Sequence, residues 1–131
     1  MISKQEYERL AAFRYQLRRF LRFSEDTVHQ YGVTHLQYLL LLQLKGFPGR
    51  EWATISELAE RLQAHHHGVV SLVTRCEQHG LVVKTKDAAD KREVHVHLTE
   101  EGERLLAILA RLHRDELTTL QGIFDVPHLF E

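Results

Sequence analysis

The chain has one cysteine in 131 residues, so no internal disulfide can staple it and its order must come from apolar packing. That cysteine usage fits a reducing compartment. Long apolar runs are missing too. Apolar runs such as Leu39 to Leu42 fall far short of the roughly 20 residues a helix needs to cross a bilayer. The opening residues, MISKQEYERL, lack the apolar stretch of a secretory signal, and a cytoplasmic protein with no membrane partner is expected. An excess of one charge is absent: 17 Lys and Arg face 18 Asp and Glu, for a formal net charge of −1. Bulk basicity therefore offers no argument for a nucleic-acid partner, and only local charge placement can. Catalytic signatures are absent as well. There is no glycine-rich phosphate loop, no H-E-x-x-H and no nucleophile elbow, and the adjacent acids Glu100 and Glu101 read as helix-start charges. An enzyme is not expected, and neither is a cofactor.

What is present suits one soluble domain spanning 1–131, with 44% hydrophobic and 27% charged residues. Its most informative stretch runs from Thr54 to Leu98. Ile55, Leu58, Ala59 and Leu62 recur at helical spacing, and Val69, Leu72, Val73 and Cys76 repeat that spacing after a short turn. Thr54 with Glu57 forms a capping box that starts the first helix at Ile55, and Gly80 stops the second. The period then changes to two. Leu81 to Lys86 predicts one strand, and Val94, Val96 and Leu98 alternate with His95 and His97 in another. A helix-turn-helix followed by a charged hairpin is a winged helix-turn-helix pattern, whose second helix enters the DNA major groove.

This segment resembles the winged helix of the MarR family, the multiple-antibiotic-resistance regulators. The resemblance rests on TISELAERL, GLV, DAADKR and VHVHLTEEG, which follow one another at the family's spacing from Thr54 to Gly102, over roughly a third of the chain. It implies a mainly α fold with a small β hairpin (α+β), with N- and C-terminal dimerisation helices at 1–33 and 99–131 around a central helix and winged unit at 34–98. It implies a homodimer reading a palindromic operator in double-stranded DNA, typically as a repressor, and responding to a small aromatic effector. A two-fold dimer sets its recognition helices about one DNA turn apart.

Flanking elements are legible from their patterns. Residues 5 to 24 predict a long helix, with Leu10, Phe13, Leu17, Phe20, Leu21 and Ser24 near one stripe and Arg14, Arg18 and Arg22 on another. That arginine row suits a solvated face, an anionic ligand or a partner subunit. A break is expected at Tyr31-Gly32, and Thr34 with Gln37 opens a helix to about Leu44. Leu36, Tyr38, Leu39, Leu40, Leu41, Leu42 and Leu44 surround that helix, so it should be buried on all sides. KGFPGREWA, residues 45 to 53, reads as a loop docked by Trp52. Thr99 caps a last helix to about Leu120, with Leu105, Ile108, Leu109 and Leu112 as its stripe, and a short helix or docked tail is expected at 124–130.

Once the apolar stripe of the second motif helix is set, its outward residues follow. His66, His67, Gly68, Val70 and Ser71 are the expected DNA contacts, with Arg75 reaching the backbone from a turn further on. The usual family helix starts with small hydroxyl residues and proline and often offers arginine where Ser71 stands, so its base preferences do not carry over to His65-His66-His67-Gly68. Lys84, Lys86, Lys91 and Arg92 line or tip the wing. By resemblance Arg92 enters the minor groove, whose narrow form concentrates negative potential, and Asp90 holds the wing. Effector contacts are expected from Arg14, Arg18, His35 and Tyr38.

Ten histidines raise the question of a metal. Adjacent helical residues point in different directions, so His65, His66 and His67 do not make one site. His95 and His97 share a strand face but lack further ligands, and His113 has leucines at i−4 and i+4, so no metal site is expected. Cys76, on an apolar stripe, reads as a small hydrophobe. The competing functions are a winged-helix protein-interaction module that does not read DNA, and a metal-responsive regulator.

Overall fold

The computed structural model describes residues 1–119. The expected tail at 124–130 lies outside the described residues. The element order is α1 (Lys4–Gln30), α2 (His35–Lys45), β1 (Trp52–Thr54), α3 (Ile55–Leu62), α4 (His66–Gln78), β2 (Val82–Lys86), β3 (Val94–Leu98) and α5 (Glu100–Thr119). The fold is mainly α with a small antiparallel sheet, and it is a winged helix.

Short-range chemistry sets most boundaries. Thr34 and Gln37 exchange capping bonds at the start of α2, at 2.8 and 3.2 Å. Thr54 and Glu57 do the same for α3, at 2.9 and 3.2 Å. Such caps contribute about 1 kcal/mol each. At the end of α4, Leu81 N–H donates to the Cys76 carbonyl at 2.9 Å and Gly80 N–H to that of Glu77 at 3.0 Å. Gly80 takes φ +73°, the left-handed conformation such a terminus needs. Gln63 adopts the same region, φ 51°, to close the turn between α3 and α4.

The structure corrects the sequence reading in four places. First, α1 continues past Ser24 to Gln30, because Thr27 and Val28 extend its buried face. Second, the stretch read as a loop ends in a strand. Trp52–Thr54 pairs with His95–His97, so β3 of the hairpin becomes the central strand of a three-stranded sheet ordered β1-β3-β2. Three residues are too few to show a period in sequence, and their pairing partner lies more than 40 positions away. Third, α2 is not buried all round. Leu40, Leu41 and Leu44 are fully buried, but Leu36 is half exposed. Fourth, the buried stripe of α5 is Gly102, Leu106, Leu109 and His113, while Ile108 faces outward.

The core joins α2 to the winged unit through Leu40, Leu41, Leu44, Leu58, Val69, Val73, Val96 and Leu109. Each fully buried leucine or valine contributes about 1.5–3 kcal/mol. At the edge of this core Gly102 packs against the Leu81 backbone so closely that an added Cβ would lie 2.1 Å from the Leu81 carbonyl oxygen. Thr99 clasps the same corner, donating from its hydroxyl to the Gly80 carbonyl at 2.6 Å and from its amide to that of Leu81 at 3.0 Å.

Candidate nucleic-acid interface

Helix α4 has two faces of opposite character. Val69, Leu72, Val73 and Cys76 are buried and seat it on α2 and β2. His66, His67, Gly68, Val70, Ser71 and Arg75 are all exposed on the other side. Its N-cap, His65, makes no side-chain capping bond, so the first-turn amides have no capping side-chain acceptor there. Burial pushes the Cys76 thiol up to about 11, against a smaller opposing pull from Arg75, so the thiolate is scarce at neutral pH.

The wing projects beside this helix. Backbone pairing from Val82–Leu98 to Lys86–Val94 carries the hairpin outward, and Asp87 N–H closes its neck on the Glu93 carbonyl at 3.0 Å. At the tip, Asp90 Oδ1 accepts from the Arg92 amide at 3.0 Å and from Arg92 Nε at 3.3 Å. The Arg92 side chain nonetheless keeps 93% of its exposure. Lys86 and Lys91 are exposed, while Lys84 reaches back to Glu77 on α4 at 3.4 Å.

A cleft between the start of α3 and the wing is lined by Arg50, Ser56, His66 and Arg92. Arg50 and Ser56 were not singled out in the sequence, because the Pro and Gly residues around Arg50 read only as a loop. The Arg50 guanidinium pairs with Glu57 and stacks 3.8 Å over Trp52 and 4.3 Å over Phe47. Partial burial pushes the Glu57 carboxyl up, but its bonds from Thr54 and Arg50 outweigh this and hold it below the ordinary range. Arg50 thus ties the capping box of α3 to the sheet.

The four residues expected to hold an effector do not converge. His35 and Tyr38 lie together at the start of α2. There Ser24 Oγ stands 3.1 Å from His35 Nδ1 and 2.7 Å from His113 Nε2, and Tyr38 stacks on His113 with ring centroids 4.5 Å apart. Burial raises the Tyr38 hydroxyl and lowers the His35 imidazole from their ordinary values. Arg14 and Arg18 are exposed, and at 100° per residue they sit about 80° and 120° around α1 from Ser24. Arg18 instead lines an open groove with Tyr15, Arg22, Glu25 and Asp26. His113, which the sequence reading set aside, is buried at the centre of this polar cluster.

Comparison with known proteins agrees with this geometry. Residues 31–93 match the MarR family. The chain is 31% identical over 78 residues to the HTH-type transcriptional repressor MdtR of Bacillus subtilis, covering 60% of this chain and 48% of that protein. It is 37% identical over 75 residues to the transcriptional regulator HosA of Escherichia coli, covering 57% of this chain and 53% of that one. The chain thus spans about half the length of these curated relatives. Among solved structures, a variant of MepR from S. aureus bound to an oligodeoxyribonucleotide superposes with a TM-score of 0.69 at 24% identity, over 82% of this chain and 78% of that one. Among the described residues no helix is long and apolar enough to cross a membrane. The match to the MarR family thus runs from the turn before α2 to the end of the wing loop.

Proposed function

We propose that the chain is a sequence-specific DNA-binding transcriptional regulator acting as a homodimer on a palindromic operator. The observation that carries this reading is the pairing of an outward α4 face, seated rigidly by its buried side, with a wing whose Arg92 is almost fully exposed. In this reading α4 enters the major groove, His66, His67, Val70 and Ser71 meet base edges or phosphate, and Arg75 reaches the backbone. Gly68 lets the helix approach the duplex closely. Lys86, Lys91 and Arg92 follow the wing into the adjoining minor groove, Lys84 steadies its base, and Asp90 aims Arg92. The oligodeoxyribonucleotide complex of the MepR variant supports this assignment by fold.

Exposed Leu21, Leu36, Ile108 and Leu117 on α1, α2 and α5 supply apolar surface for a second copy. MdtR is named a repressor, and repression is the proposed sign here. A small aromatic effector suits the open cleft beside Tyr38, Leu42, Ala110 and His113. It would release DNA by favouring a spacing of the two α4 helices that does not fit the operator.

Fluorescence anisotropy of the purified protein with duplex DNA from its own upstream region, titrated across salt beside an unrelated duplex, tests the reading. Selective binding that weakens steeply with salt is expected. No binding to either duplex at low salt would overturn it in favour of a protein-interaction module.

A further inference from the structure

We propose that Asp87, Glu93 and His95 form a site for a divalent transition-metal ion, zinc by its donor set, at the neck of the wing. One ligand atom from each of the three residues lies within 4.8 Å of the other two. The backbone explains the convergence. Asp87 and Glu93 face each other across the hairpin, joined by the 3.0 Å bond from Asp87 N–H to the Glu93 carbonyl. His95 lies on β3, two residues after Glu93, and its Nε2 stands 2.9 Å from Glu93 Oε1. All three side chains are partly buried.

Asp87 and Glu93 oppose each other just beyond the last strand pair, where two carboxylates repel. His95 Nε2 already stands 2.9 Å from Glu93 Oε1, and only 15% of its side chain is exposed. Its ring is held from behind by Trp52 of β1, stacked at 3.7 Å and 17°. An oriented imidazole beside two carboxylates is a three-ligand set that leaves a fourth tetrahedral position to water. Tetrahedral zinc separates its ligand atoms by about 3.4 Å, so modest side-chain motion closes the site. His97, two residues on, bonds instead to Thr85 at 3.2 Å and is not part of the group.

The bound ion would join the two ends of the 87–93 loop and so fix the segment that carries Asp90, Lys91 and Arg92. It would also neutralise two carboxylates next to the proposed DNA surface. The site itself does not depend on the regulator reading, and its test needs no DNA.

Trp52 is the only tryptophan in the chain and touches the proposed ligand, so its emission reports on the site directly. Zn²⁺ is titrated into the full chain while Trp52 fluorescence is followed. A change that saturates at one equivalent is expected. Asp87→Asn and Glu93→Gln, neither of which alters the ring against Trp52, should each raise the apparent Kd about tenfold or more, since even loss of an outer-shell partner costs that much. A His66→Gln/His67→Gln double variant should respond as the parent does. Circular dichroism of the two carboxylate variants checks that the fold is kept. Lack of any Trp52 response would overturn the proposal. So would a response untouched by Asp87→Asn and Glu93→Gln, or one abolished by the His66/His67 double variant.

Discussion

Ser24 Oγ and His113 Nε2 lie 2.7 Å apart across 89 positions of sequence, and their contact joins α1 to α5. The proton positions follow from the partners. His113 Nδ1 stands 2.7 Å from the Leu109 carbonyl, which only accepts, so Nδ1 donates and neutral Nε2 accepts from the Ser24 hydroxyl. Ser24 Oγ is then left to accept from His35 Nδ1–H. Replacing Ser24 with alanine strands a ring nitrogen of buried His113 and one of partly buried His35. We expect a loss of about 1–3 kcal/mol, measured by urea unfolding. A midpoint equal to that of the parent would show that water satisfies both rings.

Burial lowers the His35 imidazole below its ordinary value, and a nearby His113 adds to this while Glu25 opposes it. The unfolded chain therefore takes up a proton at His35 before the folded chain does. The stability this group contributes is fully present above the unfolded pKa of about 6.5 and is lost as pH falls through the lower folded value. Melting temperatures measured between pH 8 and pH 5 should decline with acid, and His35→Gln should flatten that decline. A pH profile identical in the variant would show that His35 does not contribute to it.

Gly102 admits no side chain, because a Cβ would lie 2.1 Å from the Leu81 carbonyl oxygen and 3.1 Å from its carbon. Both are backbone atoms, so no rotamer change relieves the clash. Gly102→Ala should lower stability by about 1–3 kcal/mol, even though alanine is the better helix former. Thermal melts that are unchanged or raised would contradict the close approach of α5 to Leu81.

Arg92→Ala tests the wing. The arginine is nearly free of the protein surface, so its loss should leave the melting temperature unchanged. Affinity for duplex DNA should fall across sequences, and the salt slope should shrink by about 1. Unaltered affinity and slope would remove Arg92 from the DNA interface.

Much of this protein was determined by its sequence at short range. The capping boxes at Thr34 and Thr54, the glycine stops at Gly32 and Gly80, and the 3.6-residue stripes of α3 and α4 act between residues at most five apart, where backbone geometry alone brings the groups together. The outward residues of α4 and the wing tip were legible for the same reason. Once the apolar stripe is placed, the opposite face follows from the helical period. Tertiary structure decided what distant packing controls. It made a strand of Trp52–Thr54, seated that tryptophan on His95, and turned Gly102 into a contact point for Leu81. It drew Ser24, His35 and His113 into one buried network, and left Arg14 and Arg18 on another face. None of these pairings has a period or a local motif. They arise when burying the apolar core brings together groups from 11 to 89 residues apart, and polar groups caught in that burial must then find partners among whatever lies within reach.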